Sequence, residues 1–317
     1  MADGDDPRPQ DPPNAAHVSQ SVDPSKPDDD RAKTGLSTYP PALYLVATPI
    51  GHAADITLRA LAVLSAVDAI ACEDTRTTAK LLALHSISRP LVAYHEHNEE
   101  TMAPRLIARI LAGERIALVS DAGTPLISDP GYRLLTQAIA AGVRVVPVPG
   151  ASAILAAVAV AGLPSHRIVF EGFLPARQVG RRRALETLRD IPATLVIFEA
   201  PQRLAASLAD MADVLGPRPA VIARELTKMF ETVHRDSLPA LAAAFEQAGP
   251  PKGEITIVVA PPAADAPALT GEEVDTLILT ALSSQSPSQA AATVATATGL
   301  PRRRIYARVL EIAGQRG

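Results

Sequence analysis

The 317-residue sequence has no tryptophan and only one cysteine, Cys72. One cysteine excludes a disulfide framework and a cysteine-rich zinc site, and it favours a reducing, cytoplasmic environment. No basic segment followed by an apolar one begins the chain, so we expect no secretion. A long apolar run is also missing, since the most apolar stretch, 143–164, contains Arg144 and three prolines. It predicts a short strand, a turn and an Ala-rich helix rather than a membrane-spanning helix.

An excess of positive charge is absent as well. The net charge is −4, and the first forty residues account for it with eight Asp against four basic residues. The remaining chain is neutral, with 26 acidic and 26 basic residues. Contacts with nucleic acid must therefore come from local clusters, and Arg-Arg-Arg occurs at 181–183 and at 302–304.

The N-terminal segment, 1–41, contains eight of the 29 prolines and almost no large apolar residues. A segment of this composition buries too little apolar surface to offset the entropy of ordering. We therefore expect a disordered tail, and its simplest interpretation is a variable, solvated extension.

Short apolar runs alternate with segments of helical periodicity between 42 and 163. The apolar runs are 43–47, 69–72, 91–95, 115–120 and 143–148, and the helical segments are 55–67, 74–84, 103–113 and 131–142. Strands that alternate with helices of about ten residues predict a parallel, doubly wound sheet. Binding sites in such sheets lie at the carboxyl ends of the strands.

The pattern changes after Gly162 to five strand-like runs interrupted by two helical segments. The runs are 167–173, 194–199, 220–225, 232–236 and 254–260, and the helical segments are 201–215 and 238–247. This pattern predicts a second α/β domain with a mixed sheet over 164–262. The expected fold class is therefore α/β, with two α/β domains and a small helical module at the C-terminus.

The C-terminal module follows a segment rich in Ala and Pro, 263–269, which predicts a linker. The segment 270–317 predicts two helices, a Gly-containing turn and a basic final helix, an order that resembles a helix-turn-helix. In that interpretation the arginines at 302–304 contact nucleic-acid phosphates, and Arg308, on the same face, favours such contact. The alternative is a small helical cap whose arginines are only solvated.

The first strand ends in Ala-Thr-Pro-Ile-Gly at 47–51, which is not the G-x-G-x-x-G of a dinucleotide site. An ordinary dehydrogenase or nucleotidase is therefore disfavoured. Pro49 and Gly51 can form a tight turn that lets a ligand approach the backbone. The alternative is a turn with a purely structural role.

Polar residues follow the second and third strands. Glu73 and Asp74 come after the second, where paired carboxylates suit acid–base chemistry or the binding of sugar hydroxyls. Capping of the next helix would by itself explain Asp74. His95, Glu96 and His97 follow the third strand. Two His at i and i+2 without a third ligand nearby make a poor metal site, so we predict no metal and a polar, substrate-side loop.

The fourth strand leads into the loop SDAGTPLISDPG, 120–131, which contains two Asp and no Lys, Arg or His. It is a poor phosphate cradle, because no cation would offset Asp121 and Asp129. It suits a ligand with a positive centre and hydroxyls, a profile that S-adenosylmethionine has. The alternative is a connector in which Asp129 caps the next helix. Ser152, after the fifth strand, begins another helix, so three consecutive carboxyl ends indicate one pocket.

Several stretches of the chain together resemble one known family. They are LVATPIGHAADITLRALAVL, AIACEDTRTTAKLL, LVSDAGTPLISDPGYRLL, VPVPGASAILAAVAVAGLP and FEGFLP. The sequence thus resembles the tetrapyrrole methylase superfamily over about 43–262, and within it the branch that methylates the ribose 2′-oxygen of a cytidine in 16S ribosomal RNA. The superfamily often has G-x-G-x-G-D in its first loop. TPIGHAAD replaces it here, as in the ribosomal RNA branch, which argues against a precorrin or uroporphyrinogen substrate.

The resemblance implies that a homodimer binds S-adenosylmethionine in a cleft between its two α/β domains. The implied cofactor contacts are Pro49, Gly51, Asp121, Ala122, Gly123, Thr124, Pro125, Ser128, Ser152, Ala200 and Leu226. The residues expected to face RNA are Arg76, Arg181, Arg182, Arg183, Lys228, Arg302, Arg303 and Arg304.

The implied reaction is in-line transfer of a methyl group to a ribose oxygen, which needs alignment and a proton acceptor. Glu73, His95 and Glu96 are the candidate acceptors, and the sequence does not choose among them. The implied partner is 16S ribosomal RNA of the small subunit. Two alternatives stay open: a methyltransferase of a tetrapyrrole or diphthine precursor, and a non-enzymatic regulator that binds nucleic acid and senses a small ligand. The basic C-terminal helices favour the RNA substrate over a tetrapyrrole or diphthine precursor.

Overall fold

The computed structural model of the protein describes residues 39–263, 271–283, 285–298 and 302–314. Its first half alternates strands and helices as the sequence predicts. The elements are β1 (Ala42–Val46), α1 (Leu58–Ala66), β2 (Ala69–Cys72), α2 (Thr75–Leu84), β3 (Leu91–Ala93), α3 (Glu99–Leu111), β4 (Arg115–Val119), α4 (Tyr132–Ala140), β5 (Val145–Val148) and α5 (Ala153–Ala161). The five strands form a parallel sheet in the order β3-β2-β4-β1-β5. All four residues of β2 are buried, so both faces of the sheet are covered.

Side-chain caps fix where several of these helices begin. The Thr57 side chain accepts from the backbone N–H of Ala60 and starts α1. The Asp74 carboxylate accepts from the backbone N–H of Arg76 and starts α2, as predicted. Since each cap follows a loop at the carboxyl edge of the sheet, the same short segments end one element and begin the next.

The second half contains β6 (Ile168–Phe173), α6 (Gln178–Leu188), β7 (Thr194–Glu199), α7 (Leu204–Leu215), β8 (Pro219–Arg224), β9 (Thr232–Ser237), α8 (Leu238–Ala248) and β10 (Ile255–Val259). The sheet order is β6-β7-β10-β8-β9. β6 and β7 are parallel, whereas β10 runs antiparallel to both β7 and β8. The mixed sheet was predicted, but α6 was not. Its inner face carries Arg181 together with Leu185 and Leu188, so a charged residue occupies the first apolar position of the helical pattern.

The apolar residues of the second sheet divide between its two faces. Leu195, Ile197 and Ile257 pack into the core formed with α6, α7 and α8. Their neighbours along the strands, including Val196 and Val258, pack against α5. This second core packs the Ala-rich helix α5, together with Ile50 from the first loop, against the second sheet.

The C-terminal segment forms α9 (Gly271–Leu282), α10 (Pro287–Thr298) and α11 (Arg302–Gly314). The three helices share one apolar core, to which α9 contributes Ile278, α10 contributes Val294 and α11 contributes Val309. Arg308 bonds the carboxylates of Asp275 and Glu311, and the bond to Asp275 ties α11 to α9. The contact of Arg308 with phosphate stays a prediction.

The observed architecture confirms the predicted fold class of two α/β sheets followed by a helical module. Most of the predicted tail, 1–38, and most of the predicted linker, from 264 onward, lie outside the described residues. Within the described part of the chain, every helix is too short or too polar to cross a bilayer.

Candidate functional site

A cleft of about 430 Å³ opens between the two sheets. From the first half it is lined by Ile50, Asp121, Ala122, Gly123, Thr124, Ile127, Ser128, Asp129, Ser152, Ala153 and Ile154, and from the second half by Phe173, Phe198, Glu199, Ala200, Pro201, Ala223, Leu226, Gly253, Glu254, Ile255 and Thr256. Most of the lining comes from the carboxyl ends of strands in both sheets, where ligands of open α/β sheets bind, and the rest comes from the start of β10. Its volume lies in the range of small-molecule sites.

The loop after β4 forms one wall of the cleft. It is anchored to the first loop, because Thr48 and Gly123 form an antiparallel bridge and the Thr48 hydroxyl donates to the carbonyl of Ser120 at 3.1 Å. Leu126 and Ser128 in this loop have φ of 77° and 65°, the left-handed region that L-residues rarely adopt. Such backbone conformations persist where the surroundings enforce them, and they cluster at ligand sites.

The opposite wall is organised by Glu199, whose side chain is fully buried. Its carboxylate accepts from the backbone N–H of Ala200 at 2.8 Å and from the hydroxyl of Ser207, and Arg203 Nε lies 3.1 Å from it. These partners hold the turn after β7 against the cleft. Glu199 was not among the predicted site residues, although a carboxylate that ends an apolar strand is a visible signal in the sequence.

A third part of the lining comes from Glu254, Ile255 and Thr256 at the start of β10. This strand was not predicted to line the site, because ligand contacts are expected at the carboxyl ends of parallel strands. Since β10 is antiparallel to its neighbours, its first residues lie beside the last residues of β7 and β8. Ile255 pairs with Glu199 on one side and with Arg224 on the other.

The cleft is acidic. Among its lining residues in the described chain there is no Lys, Arg or His, and there are four carboxylates, Asp121, Asp129, Glu199 and Glu254. Burial and the neighbouring charge of Asp74 raise the pKa of Asp121. Burial and the charge of Asp121 raise the pKa of Asp129. This environment attracts a cation and disfavours a phosphate group, as the sequence of the loop predicts.

Eight of the eleven predicted cofactor contacts line the cleft: Asp121, Ala122, Gly123, Thr124, Ser128, Ser152, Ala200 and Leu226. Pro49, Gly51 and Pro125 do not, although Ile50 between the first two does. Gly51 packs instead on the second half, where a Cβ would lie 2.5 Å from Lys228 Cγ. A glycine is needed there for close approach of the two halves rather than for a ligand.

The three predicted proton acceptors, Glu73, His95 and Glu96, lie beside the cleft and not in its lining. Partial burial and the charges of Asp121, Asp129 and Glu96 raise the pKa of Glu73. Glu73 therefore belongs to a group of carboxylates that extends from the cleft along the edge of the first sheet. In the described part of the chain, no three His, Cys, Asp or Glu side chains are placed to hold a metal ion.

The residues predicted to face RNA fall into two groups. Arg181 is only 4% exposed and bonds Asp210 at 2.7 Å, so we correct its assignment to a structural residue. Arg182 bonds Asp210 and Asp213, Lys228 bonds Glu225 and Glu254, and Arg76 bonds Asp74. By contrast, Arg183, Arg303 and Arg304 are exposed. The side chain of Arg302 lies outside the described residues.

Residues 42–242 match the family Tetrapyrrole (Corrin/Porphyrin) Methylases, and residues 268–313 match the RsmI C-terminal HTH domain. The chain is 50% identical to ribosomal RNA small subunit methyltransferase I of Mesorhizobium japonicum over 87% of its length and 94% of that protein. The chain is 49% identical to the protein of the same name from Xylella fastidiosa, over 84% of its length and 98% of that protein.

Two solved structures share the fold at low sequence identity. Diphthine synthase superposes with a TM-score of 0.55 and 18% identity, over 69% of this chain and 89% of that one. Uroporphyrin-III C-methyl transferase from Thermus thermophilus, in complex with S-adenosyl homocysteine, superposes with a TM-score of 0.50 and 20% identity, over 68% and 96%. The resemblance found in the sequence is thereby confirmed: the chain belongs to the tetrapyrrole methylase family and, within it, to the ribosomal RNA small subunit methyltransferase I family.

Proposed function

We propose that the protein transfers a methyl group from S-adenosylmethionine to the ribose 2′-oxygen of a cytidine in 16S ribosomal RNA. The observation that carries the proposal is the cleft, whose described lining residues include no basic side chain. Asp121 and Asp129 give it its acidic character, since Glu199 and Glu254 are paired with Arg203 and Lys228. The names of the relatives, which are methyltransferases of small-subunit ribosomal RNA, support the substrate class. The ribose oxygen and the cytidine follow from the resemblance to that branch of the family.

The lining fits the proposed cofactor in its chemistry. Ala223, Leu226 and Ile255 are buried and give the cleft an apolar wall suited to a purine ring. Asp121 and Asp129 stand on the opposite wall, where carboxylates favour a positive centre and accept from hydroxyls. When bound, the cofactor would supply a methyl group activated by a positively charged sulfur. The homocysteine form of this cofactor is bound in the Thermus thermophilus uroporphyrin-III C-methyl transferase, which has the same fold.

We assign the proton acceptor for the ribose hydroxyl to Glu73. A general base works best when its pKa lies near the working pH, and the pKa of Glu73 is raised. Glu73 follows β2, which neighbours β4, and β4 leads into the cleft wall at Asp121. His95 and Glu96 follow β3, one strand farther from that wall. Their distance in the sheet order makes them the weaker candidates.

RNA binding is assigned to the exposed arginines Arg183, Arg303 and Arg304. They are free to face phosphates, unlike the arginines that bond carboxylates of the chain. The helical module with its own core supports an RNA substrate rather than a tetrapyrrole, which needs no such module. The homodimer and the cytoplasmic location remain predictions from the family resemblance and the single cysteine. Sedimentation of the purified protein tests the dimer.

Transfer of labelled methyl groups to ribosomal RNA tests this function. Purified protein and labelled S-adenosylmethionine are incubated with 30S subunits or with free 16S RNA that lacks the modification. A 2′-O-methyl group blocks alkaline cleavage at its nucleotide, so its position is read from the missing cleavage product. We expect incorporation at one cytidine. If neither 30S subunits nor free 16S RNA incorporates labelled methyl groups, the proposal is overturned.

A further inference from the structure

Strand β6 contains a bulge that changes the direction of its last side chain. Phe170 pairs with Val196, Gly172 with Ile197 and Phe173 with Phe198, so one extra residue separates the first two pairs. In a regular strand Phe170 and Phe173, three positions apart, would point to opposite faces. Because of the bulge they share one face, and both rings contact Phe198, with centroid distances of 4.9 and 5.7 Å.

The bulge depends on Gly172, whose φ is +73°. A Cβ at this position would lie 3.5 Å from Ser128 Oγ, in the loop that forms the opposite wall. β6 therefore lies close to that loop at the position where the bulge reverses the direction of Phe173. The result is an aromatic ring in the lining of the cleft.

Phe173 is 55% exposed, although it is a large apolar residue next to an acidic cleft. The buried apolar wall of Ala223, Leu226 and Ile255, exposed by 1, 8 and 4%, lies elsewhere in the same cleft. The cofactor, which would bind first, would be covered by the buried wall. The half-exposed ring of Phe173 would then face the substrate. The fixed ring is suited to stacking, which recognises a base without needing charge.

We propose that Phe173, supported by Phe198, is the platform on which the base of the methylated nucleotide stacks. The inference rests on the proposed function and specifies how its substrate is positioned. RNA-modifying proteins expose a single base and hold it on an aromatic face. Stacking on Phe173 would place the attached ribose at the mouth of the cleft. Phe173 is thus a positioning residue that acts on the base and not on the reacting oxygen.

The absence of tryptophan makes a direct optical test possible. Phe173→Trp introduces the only tryptophan of the chain, and its fluorescence is titrated with unmethylated 30S subunits in the presence of saturating S-adenosylhomocysteine. Leu111→Trp is the matched control, because Leu111 is exposed to a similar degree, 62%. Leu111 ends α3 just before β4 begins, so it lies at the edge of the first sheet opposite the cleft. We expect quenching of at least about twofold for Phe173→Trp relative to the control. Equal signals would overturn the proposal.

Kinetics of two further variants separate positioning from packing. Phe173→Ala is expected to lower kcat/KM for 30S subunits by about tenfold or more, within the range found for loss of one stacked base. Phe173→Tyr keeps the ring and should retain activity within about threefold. Both should bind S-adenosylhomocysteine within about twofold of wild type. A Phe173→Ala variant that loses S-adenosylhomocysteine binding would assign the ring to the cofactor and overturn the proposal.

The proposed function can fail independently of this inference. Wild-type protein that transfers no methyl group to RNA contradicts the function. Active wild-type protein with an unquenched Phe173→Trp contradicts only the assignment of the stacking platform.

Discussion

The backbone N–H of Asp74 donates a hydrogen bond to the carboxylate of Asp121 over 3.2 Å. This contact joins the end of β2 to the wall of the cleft after β4. It places Glu73, the residue before Asp74, close to Asp121, so that burial and the charge of Asp121 both raise the pKa of Glu73. The candidate base and the candidate cofactor wall are therefore parts of one acidic edge of the first sheet.

Substitution of the proposed base tests this arrangement. Glu73→Gln should lower kcat for methyl transfer to 30S subunits by about 100-fold, the lower range for loss of a general base. S-adenosylhomocysteine affinity should stay within about twofold, because Glu73 does not line the cleft. Glu100→Gln, at an exposed carboxylate of α3, is the control and should be fully active. Full activity of Glu73→Gln would exclude Glu73 as the base. In wild type, the pKa of Glu73 is raised above its ordinary value of 4.5. The decrease of kcat/KM on the acidic side of its pH profile should therefore have its midpoint above pH 4.5.

Removal of a cleft charge should stabilise the fold. The pKa of Asp129 is raised above its ordinary value of 3.8, so the folded state binds the proton of this carboxyl more tightly than the unfolded state does. The protein therefore loses stability as the pH rises from 3.8 through the raised pKa. Asp129→Asn abolishes that loss, and its Tm at pH 7.5 should exceed that of wild type by about 2 °C. The difference should shrink as the pH is lowered toward 4. Glu246→Gln on the surface of α8 should leave Tm unchanged; a lower Tm for Asp129→Asn would show that the charge itself is stabilising.

The buried carboxylate Glu199 should be needed for stability. Glu199→Ala removes the acceptor for Ala200, Arg203 and Ser207 and leaves the partly buried guanidinium of Arg203 without its carboxylate. We expect a loss of about 3 kcal/mol in the free energy of unfolding, measured by urea titration. Glu171→Ala, at an exposed position of β6, is the control and should lose less than about 0.5 kcal/mol. A similar effect of both substitutions would contradict the anchoring role of Glu199.

Two neighbouring arginines of α6 are expected to behave differently. Arg181→Ala leaves Asp210, which is 2% exposed, without its buried ion pair, and should destabilise the fold by about 3 kcal/mol. Arg183→Ala should leave stability unchanged and lower RNA affinity, with a smaller slope of log K against log salt. Urea unfolding and filter binding at several salt concentrations measure the two effects. Loss of RNA affinity without loss of stability in Arg181→Ala would restore the original prediction for that residue.

The sequence was sufficient to predict the parallel sheet and one wall of the cleft. Consecutive strand ends in a doubly wound sheet meet at one edge, so the loop 120–131 and Ser152 could be placed together before any coordinates. The acidic, base-free composition of that loop also indicated the kind of ligand. These features depend on local pattern and topology alone.

The other wall could not be predicted in the same way. The position of β10 depends on its antiparallel pairing, which is a long-range property. Helix α6 was missed because Arg181 occupies a buried position that an apolar residue would mark. The direction of Phe173 depends on the bulge at Gly172, and a glycine within a strand only hints at such a bulge. Each of these features depends on contacts between segments far apart in the chain.

We infer that the carboxylates of the cleft select a positively charged methyl donor. Calorimetric titration of S-adenosylmethionine and of its uncharged thioether product, S-adenosylhomocysteine, tests it most directly with wild type, Asp121→Asn and the surface control Asp213→Asn. Loss of one nearby carboxylate should lower the affinity for S-adenosylmethionine, the sulfonium ligand, by about tenfold and the affinity for S-adenosylhomocysteine by less than about threefold. Equal weakening of the binding of both ligands, or no change for either, would contradict selection by the cleft carboxylates.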